Sequence, residues 1–225
     1  MCNPSGIDFG RRSFSSSDIE GKRVLEVGSR DVNGTFREVV IPLKPGEYVG
    51  VDIQEGPGVD EICDVSKLVE KFGKESFDIV ISTEMIEHVR DWRIAISQFK
   101  GVLKPNGVLV ITTRSKGFPY HDYPGDFWRY EIDDMREIFS DMQIDAVESD
   151  VPTAPGVFVK AVKPTSFIEK DLKQFALYSM LKFRRSKNVS DIDNFLYPFR
   201  SLKARFLERA SNSLHYRLGL SKKTR

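Results

Sequence analysis

The sequence predicts an α/β protein: a doubly wound, mostly parallel sheet of seven strands with helices on both faces, followed by a C-terminal helical extension. Two observations carry this. Short β-rich apolar runs alternate with stripes at helical spacing between residues 23 and 162. The clearest runs, FDIVIS (77–82) and VLVITT (108–113), have the continuous apolar character of strands buried on both faces.

Residues 1–20 are polar and Ser-rich and read as a lead-in segment with a turn at 15–18. RVLEV (23–27) is the first strand and stops at Gly28. A helix over 35–41 is stopped by Pro42. EYVGV (47–51) is the second strand, ending at Asp52, and 59–63 is a weaker third. Asp64 can cap a helix over 65–72, with Gly73 as its stop. FDIVIS is the fourth strand. Trp92, Ala95, Ile96, Phe99, Val102 and Leu103 mark one face of the next helix. Pro105-Asn-Gly107 turns the chain into VLVITT, the fifth strand. Ile132, Met135 and Phe139 mark a further helix. Runs at 143–148 and 157–162 give two last strands, close enough in sequence to pair antiparallel. Past Pro164, Ser166-Phe-Ile-Glu169 reads as a capping box. Ile168, Leu172, Phe175, Ala176, Ser179 and Phe183 then form a helical stripe. Ser190-Asp-Ile-Asp193 opens another segment, with Phe199, Leu202 and Phe206 on its stripe. The expected division is therefore 1–163 and 164–225.

With 225 residues, 40% hydrophobic and 30% charged, the chain can bury one substantial core. No apolar run approaches the roughly 20 residues of a membrane span, and the first residues lack the pattern of a secretory signal. The two cysteines, Cys2 and Cys63, have no clustered partners, so neither a disulfide framework nor a metal site is expected, and a cytoplasmic location is. The net charge of +1 hides a split. Residues 160–225 carry 16 Lys+Arg against 5 Asp+Glu, leaving 18 against 28 in the first 159.

In a doubly wound sheet, ligands sit at the carboxyl ends of the strands. There the sequence offers Glu26-Val-Gly28. Arg30 and Asn33 replace the later glycines of a G-x-G-x-x-G pyrophosphate loop. An acid two residues before the glycine suits a cationic ligand. Asp52, at the end of the second strand, can accept both hydroxyls of a ribose.

In this combination the sequence resembles the class I S-adenosylmethionine-dependent methyltransferases, and most of all the small type 11 family. The matching stretches are VLEVGSRDVNG (24–34), VGVDIQEGPGVD (49–60), CDV (63–65), FDIVISTEMIEHV (77–89) and LKPNGVLVITT (103–113). The resemblance covers residues 20–163, implies a Rossmann-like fold, and implies S-adenosyl-L-methionine as cofactor. By it, Glu26 lies near the ammonium of the methionine moiety through water, and Gly28 and Gly34 let the loop pass under the cofactor. Asp52 takes the ribose hydroxyls and Ile53 packs on the adenine. Asp64 faces the adenine amino group with Val65 beside the ring, and Thr83 offers backbone groups near the methionine part. The family's E-x-G-x-G-x-G is broken here by Arg30 and Val32, and its last glycine falls two residues late, so no role is carried over to residues 29–33.

A hydroxyl acceptor needs a base. Of the three histidines, His88 lies in TEMIEHV beside the cofactor and reads first as a structural residue, second as catalytic. His121 lies in an aromatic-rich stretch, 118–130, with Asp122, Asp126 and Arg129, and is the first candidate base, oriented by one of the two aspartates. His215 sits in the tail without an expected role. The stretch suits a polar ring, so the expected acceptor is a small molecule or a glycan-like hydroxyl. The basic tail reads first as a helical cover of the sheet or of a partner, then as a peripheral contact with an anionic membrane surface, and third as a nucleic-acid surface. An RNA-directed methyltransferase and a non-catalytic cofactor-binding module are the competing readings.

Overall fold

The computed structural model describes residues 4–32, 34–121 and 125–202. In chain order the elements are α1 (Pro4–Ser13), α2 (Ser16–Ile19), β1 (Arg23–Val27), α3 (Arg37–Val40), β2 (Glu47–Asp52), β3 (Glu61–Ile62), α4 (Leu68–Phe72), β4 (Phe77–Thr83), α5 (Trp92–Val102), β5 (Leu103–Arg114), β6 (Trp128–Arg129), α6 (Ile132–Ile138), β7 (Gln143–Ser149), β8 (Gly156–Val162), β9 (Leu177–Ser179) and β10 (Arg184–Ser186). A last helix, α7, runs over 191–202.

Seven strands form one sheet in the order β3-β2-β1-β4-β5-β8-β7. The first five are parallel, and β8 is antiparallel to both its neighbours. The period-2 alternation of a strand divides the side chains between two cores. Leu25, Val27, Val80, Leu109 and Ile111 face α4, α5 and α6. Val24, Ile79, Ile81, Val110 and Phe158 face α1 to α3. The predicted stripe of α5 is buried as expected, with Trp92, Ala95, Ile96, Phe99 and Val102 all fully covered. Asp64 does cap the turn after it, accepting from the Ser66 N–H at 2.8 Å.

Two expectations are corrected. Residues 4–19 are not a polar lead-in: they form α1 and α2, and Phe9, Phe14 and Ile19 help to build the second core. The stripe from Ile168 to Phe183 is not helical. Of its residues Leu172 enters the first core and Phe175 packs against it, beside Leu177 and Leu181, but from irregular chain and the two short strands β9 and β10, which extend β6 into a three-stranded antiparallel sheet. Ile168 faces solvent. Tertiary partners take the place of helix hydrogen bonds here. The Arg93 guanidinium donates to the carbonyls of Leu172 (2.8 Å), Phe175 and Lys187 (2.8 Å). The Lys170 N–H donates to Asp141, which is also paired with the fully buried Lys100. The second predicted segment does form as α7, with the Ser190 N–H and hydroxyl both donating to Asp193 at 2.9 Å. Phe206, His215 and the rest of the tail lie outside the described residues, as do Asn33 and Asp122.

Candidate active site

The chain lays β1, β2 and β3 outward in one direction and then returns to place β4 on the other side of β1. The reversal leaves a crevice beyond the carboxyl ends of β1 and β4, the place where such sheets bind ligands. A cleft of about 330 Å³ occupies it, within the roughly 300–1,000 Å³ of small-molecule sites. Gly28, Asp52, Ile53, Asp64, Val65 and His88 lie on its wall, together with Arg30, Val32, Met85 and Phe127. Glu26, Gly34, Thr83 and His121 do not.

The floor is tight. Gly28 has a φ of 80°, and a Cβ on it would lie 2.6 Å from the Met85 side chain. Asp52 shapes the rim: its carboxylate accepts from the Gln54 N–H at 3.1 Å and the Arg30 N–H at 3.4 Å, and the Arg30 guanidinium reaches Gln54 at 2.9 Å. Arg30 thus fills the place where a longer glycine run would leave bare backbone. Ile53 is half exposed at the mouth.

Glu26 shares the face of Val24 and points beneath the loop, where it accepts from Tyr48 Oη at 2.6 Å and Thr35 Oγ1 at 3.4 Å. Burial pushes its carboxyl up to about 7, against these hydrogen bonds. Glu84, after β4, adopts a φ of 49° and pairs with Arg114, itself 3.6 Å from Asp150. Burial, with the neighbouring Glu87, pushes Glu84 up to about 8 despite Arg114.

The aromatic stretch after β5 folds back over the 86–90 segment. The Phe127 N–H donates to the Glu87 carbonyl at 2.9 Å, and Trp128 Nε1 donates to the carbonyls of Val89 and Arg90 at 3.1 and 3.0 Å. At its centre Arg129, fully buried, holds Asp126 with two donors and also reaches the Pro119 carbonyl at 2.9 Å. Burial pulls the Asp126 carboxyl upward, but the hydrogen bonds from Arg129 and His121 outweigh it and hold the group below the usual range. Among the described residues Asp126 is the aspartate that orients His121: its Oδ2 lies 3.1 Å from His121 Nδ1 and accepts the His121 backbone N–H at 3.0 Å.

His121 meets His88 ring edge to ring face, centroids 4.7 Å apart. Between them lies Glu87, fully buried, its Oε2 accepting from Thr113 Oγ1 at 2.8 Å. Its Oε1 is 4.0 Å from His88 Nε2 and 3.9 Å from His121 Nε2. The sequence reading passed over this group. Glu87 is an unremarked acid inside TEMIEHV, and nothing in the spacing announces that His121, 33 residues after His88, returns to it.

The strand order, with an acid closing β2 and a glycine turn after β1, defines the class I S-adenosylmethionine-dependent methyltransferase fold. The chain belongs to the methyltransferase-domain family, whose profile matches residues 8–148. It is 38% identical over 123 residues to the ubiquinone biosynthesis O-methyltransferase of Bradyrhizobium diazoefficiens, covering 49% of this chain and 47% of that protein. It is 27% identical over 118 residues to the protein of that name from Chelativorans sp., covering 47% and 45%. The chain thus spans about half the length of the curated relatives it matches. Among solved structures it is similar to an S-adenosylmethionine-dependent methyltransferase from Mesorhizobium loti (TM-score 0.54, 18% identity, 69% of this chain and 96% of that one). It is also similar to the 1,6-didemethyltoxoflavin-N1-methyltransferase of Burkholderia thailandensis with bound S-adenosylhomocysteine (TM-score 0.58, 14% identity, 70% and 78%). S-adenosylmethionine is the cofactor of this class. The cleft's size, its Gly28 floor and its mixed acidic and apolar wall fit such a molecule.

Proposed function

We propose that the chain transfers a methyl group from S-adenosylmethionine to a hydroxyl of a small-molecule or glycan-like acceptor. The observation that carries this is the cleft itself, whose lining includes Gly28, Asp52, Ile53, Asp64 and Val65 from three strand ends together with His88 and Phe127. In this reading Asp52 accepts the ribose hydroxyls. Ile53 and Val65 sandwich the adenine, with Asp64 toward its amino group. Gly28 and Gly34 keep the loop low. Glu26, one layer beneath, acts on the ammonium through water as a buried counter-charge, and Thr83 contributes backbone groups. The bound cofactor supplies an electrophilic methyl on a good leaving group, so most of the protein's work is positioning. What remains is the acceptor's proton, and this falls to the Glu87–His88–His121 group, where Asp126 fixes the ring of His121. The similarity to O-methyltransferases over half the chain supports an oxygen acceptor.

Asp52→Ala is expected to weaken S-adenosylmethionine binding by about 1–3 kcal/mol, the cost of a lost charged hydrogen bond, with the fold intact. Calorimetry on the folded variant checks this; unchanged affinity removes Asp52 from the site.

We further propose that the tail rests on an anionic membrane surface. No helix among the described residues is long and apolar enough to cross a membrane. On α7, however, Ile192, Phe195, Phe199 and Leu202 recur at helical spacing and are all exposed, at 64–72%. The chain beyond residue 202 adds Lys203, Arg205 and Arg209. Each cation near an anionic leaflet is worth about 1 kcal/mol. The intact chain is expected to sediment with phosphatidylglycerol vesicles at low salt and to be released as salt rises. Phe195→Ser with Phe199→Ser should abolish the sedimentation; a chain that ignores such vesicles even at low salt sinks this part.

A further inference from the structure

With both imidazoles neutral, three lone pairs converge between Glu87, His88 and His121. His88 Nδ1–H donates to the Gly125 carbonyl at 2.6 Å, which leaves its Nε2 bare. His121 Nδ1 lies 3.1 Å from the Asp126 carboxylate and 3.3 Å from the Pro119 carbonyl, both acceptors, so the proton is on Nδ1 and Nε2 is bare there too. The two bare nitrogens flank Glu87 Oε1, and the three atoms lie within 4.8 Å of one another. Glu87 Oε1 is buried and has no hydrogen-bond partner. A buried carboxylate oxygen facing two imidazole lone pairs is costly unless something positive lies among them.

We infer that Glu87, His88 and His121 bind a divalent first-row transition cation. One carboxylate and two imidazoles, each through a single atom, are a donor set that such ions take while keeping positions open. Bonds of about 2.0–2.2 Å need the three atoms to draw in by roughly half an ångström each. The supports of a metal centre are already in place. Thr113 fixes the other oxygen of Glu87, Gly125 fixes the ring of His88, and Asp126, clamped by Arg129, backs the ring of His121. His88 lines the cleft, which sets the ion at its edge.

The role of the ion rests on the proposed methyl transfer to oxygen. A hydroxyl bound to a divalent cation ionises far more readily than a free one. Its proton leaves to solvent, its oxygen forms the new bond to the methyl carbon, and the carbon–sulfur bond breaks with its electron pair going to sulfur. Glu87, His88 and His121 then act as ligands, and Asp126 as a positioning residue.

The test uses the full chain, stripped with chelator and titrated with Co²⁺, Zn²⁺ and Mn²⁺ salts alone. We expect one equivalent of Co²⁺ to bind with visible absorption bands of nitrogen and oxygen ligation. The affinity should fall at least about tenfold in His121→Ala and in Glu87→Gln, and it should be unchanged in His215→Ala. The Co²⁺ titration of the parent chain judges the idea even where a variant does not fold. Lack of saturable binding to the folded parent overturns the site, as does binding that survives both substitutions or is lost with His215. S-adenosylmethionine binding is measured on the same samples with and without chelator. Cofactor binding without metal binding refutes the metal site alone. Metal binding without cofactor binding refutes the methyltransferase reading and leaves the site standing.

Discussion

His121→Ala is expected to bind S-adenosylmethionine as tightly as the parent chain and to transfer methyl groups about 10²–10⁴-fold more slowly. The asymmetry follows from position. His121 is absent from the lining that includes Asp52, Ile53 and Asp64, and among the described residues it meets Asp126, Glu87, His88, Phe118 and the Pro119 carbonyl. On the proposed reading, removing its ring takes away the group that would accept the acceptor's proton or hold the ion that displaces it. The cofactor wall is untouched. The measurement is transfer of labelled methyl into whichever fraction of cell extract the parent labels, beside calorimetry with the cofactor. Near-normal turnover in the variant would leave His121 a packing role only.

The second large effect is structural. Arg129→Met is expected to destabilise the fold by about 3–5 kcal/mol, because Asp126 is fully buried and would keep its charge without its partner. At about 2–4 °C per kcal/mol for a chain of this size, the melting temperature should drop by roughly 6–20 °C. The guanidinium also holds the carbonyls of Trp128 (2.8 Å) and Pro119 (2.9 Å), so the fold-back of the aromatic stretch should loosen with it. The double variant Arg129→Met with Asp126→Leu should recover much of the loss, since a buried pair exchanged for apolar bulk is often nearly neutral. A melting point unmoved by the single change would show that Asp126 takes up a proton or finds another partner.

Much of this molecule could be read before its shape was known, for reasons that differ along the chain. The central strands announce themselves because burial on both faces forces unbroken apolar runs, as at 77–82 and 108–113. The helix at 92–102 was legible because one face alone is buried. The first 20 residues were not: three large apolar groups, Phe9, Phe14 and Ile19, are scattered in a polar stretch too short to show a period. The stretch 166–183 misled in the opposite direction. Its spacing is helical, but its backbone is held by Arg93 and Asp141, residues far away in sequence. The same split runs through the site. Gly28, Asp52 and Asp64 stand at strand ends and could be found by counting. The meeting of Glu87 with His121 depends on how a turn-rich stretch folds back, which no local pattern encodes.

One contact joins two parts that have so far been treated apart. Tyr120, next to His121, stacks on Tyr197 of α7, ring centroids 4.2 Å apart. The stretch that carries His121 and the outer helix therefore share a contact. Whatever orders one spares the other part of its entropic cost, and thermodynamics makes the exchange even-handed. On the proposed reading, a surface that steadies α7 would raise the affinity for an acceptor beside His121 by the same factor as that acceptor raises the affinity for the surface. A catalyst coupled in this way would hold its acceptor best at the surface that steadies it, with no second ligand needed to report where it is.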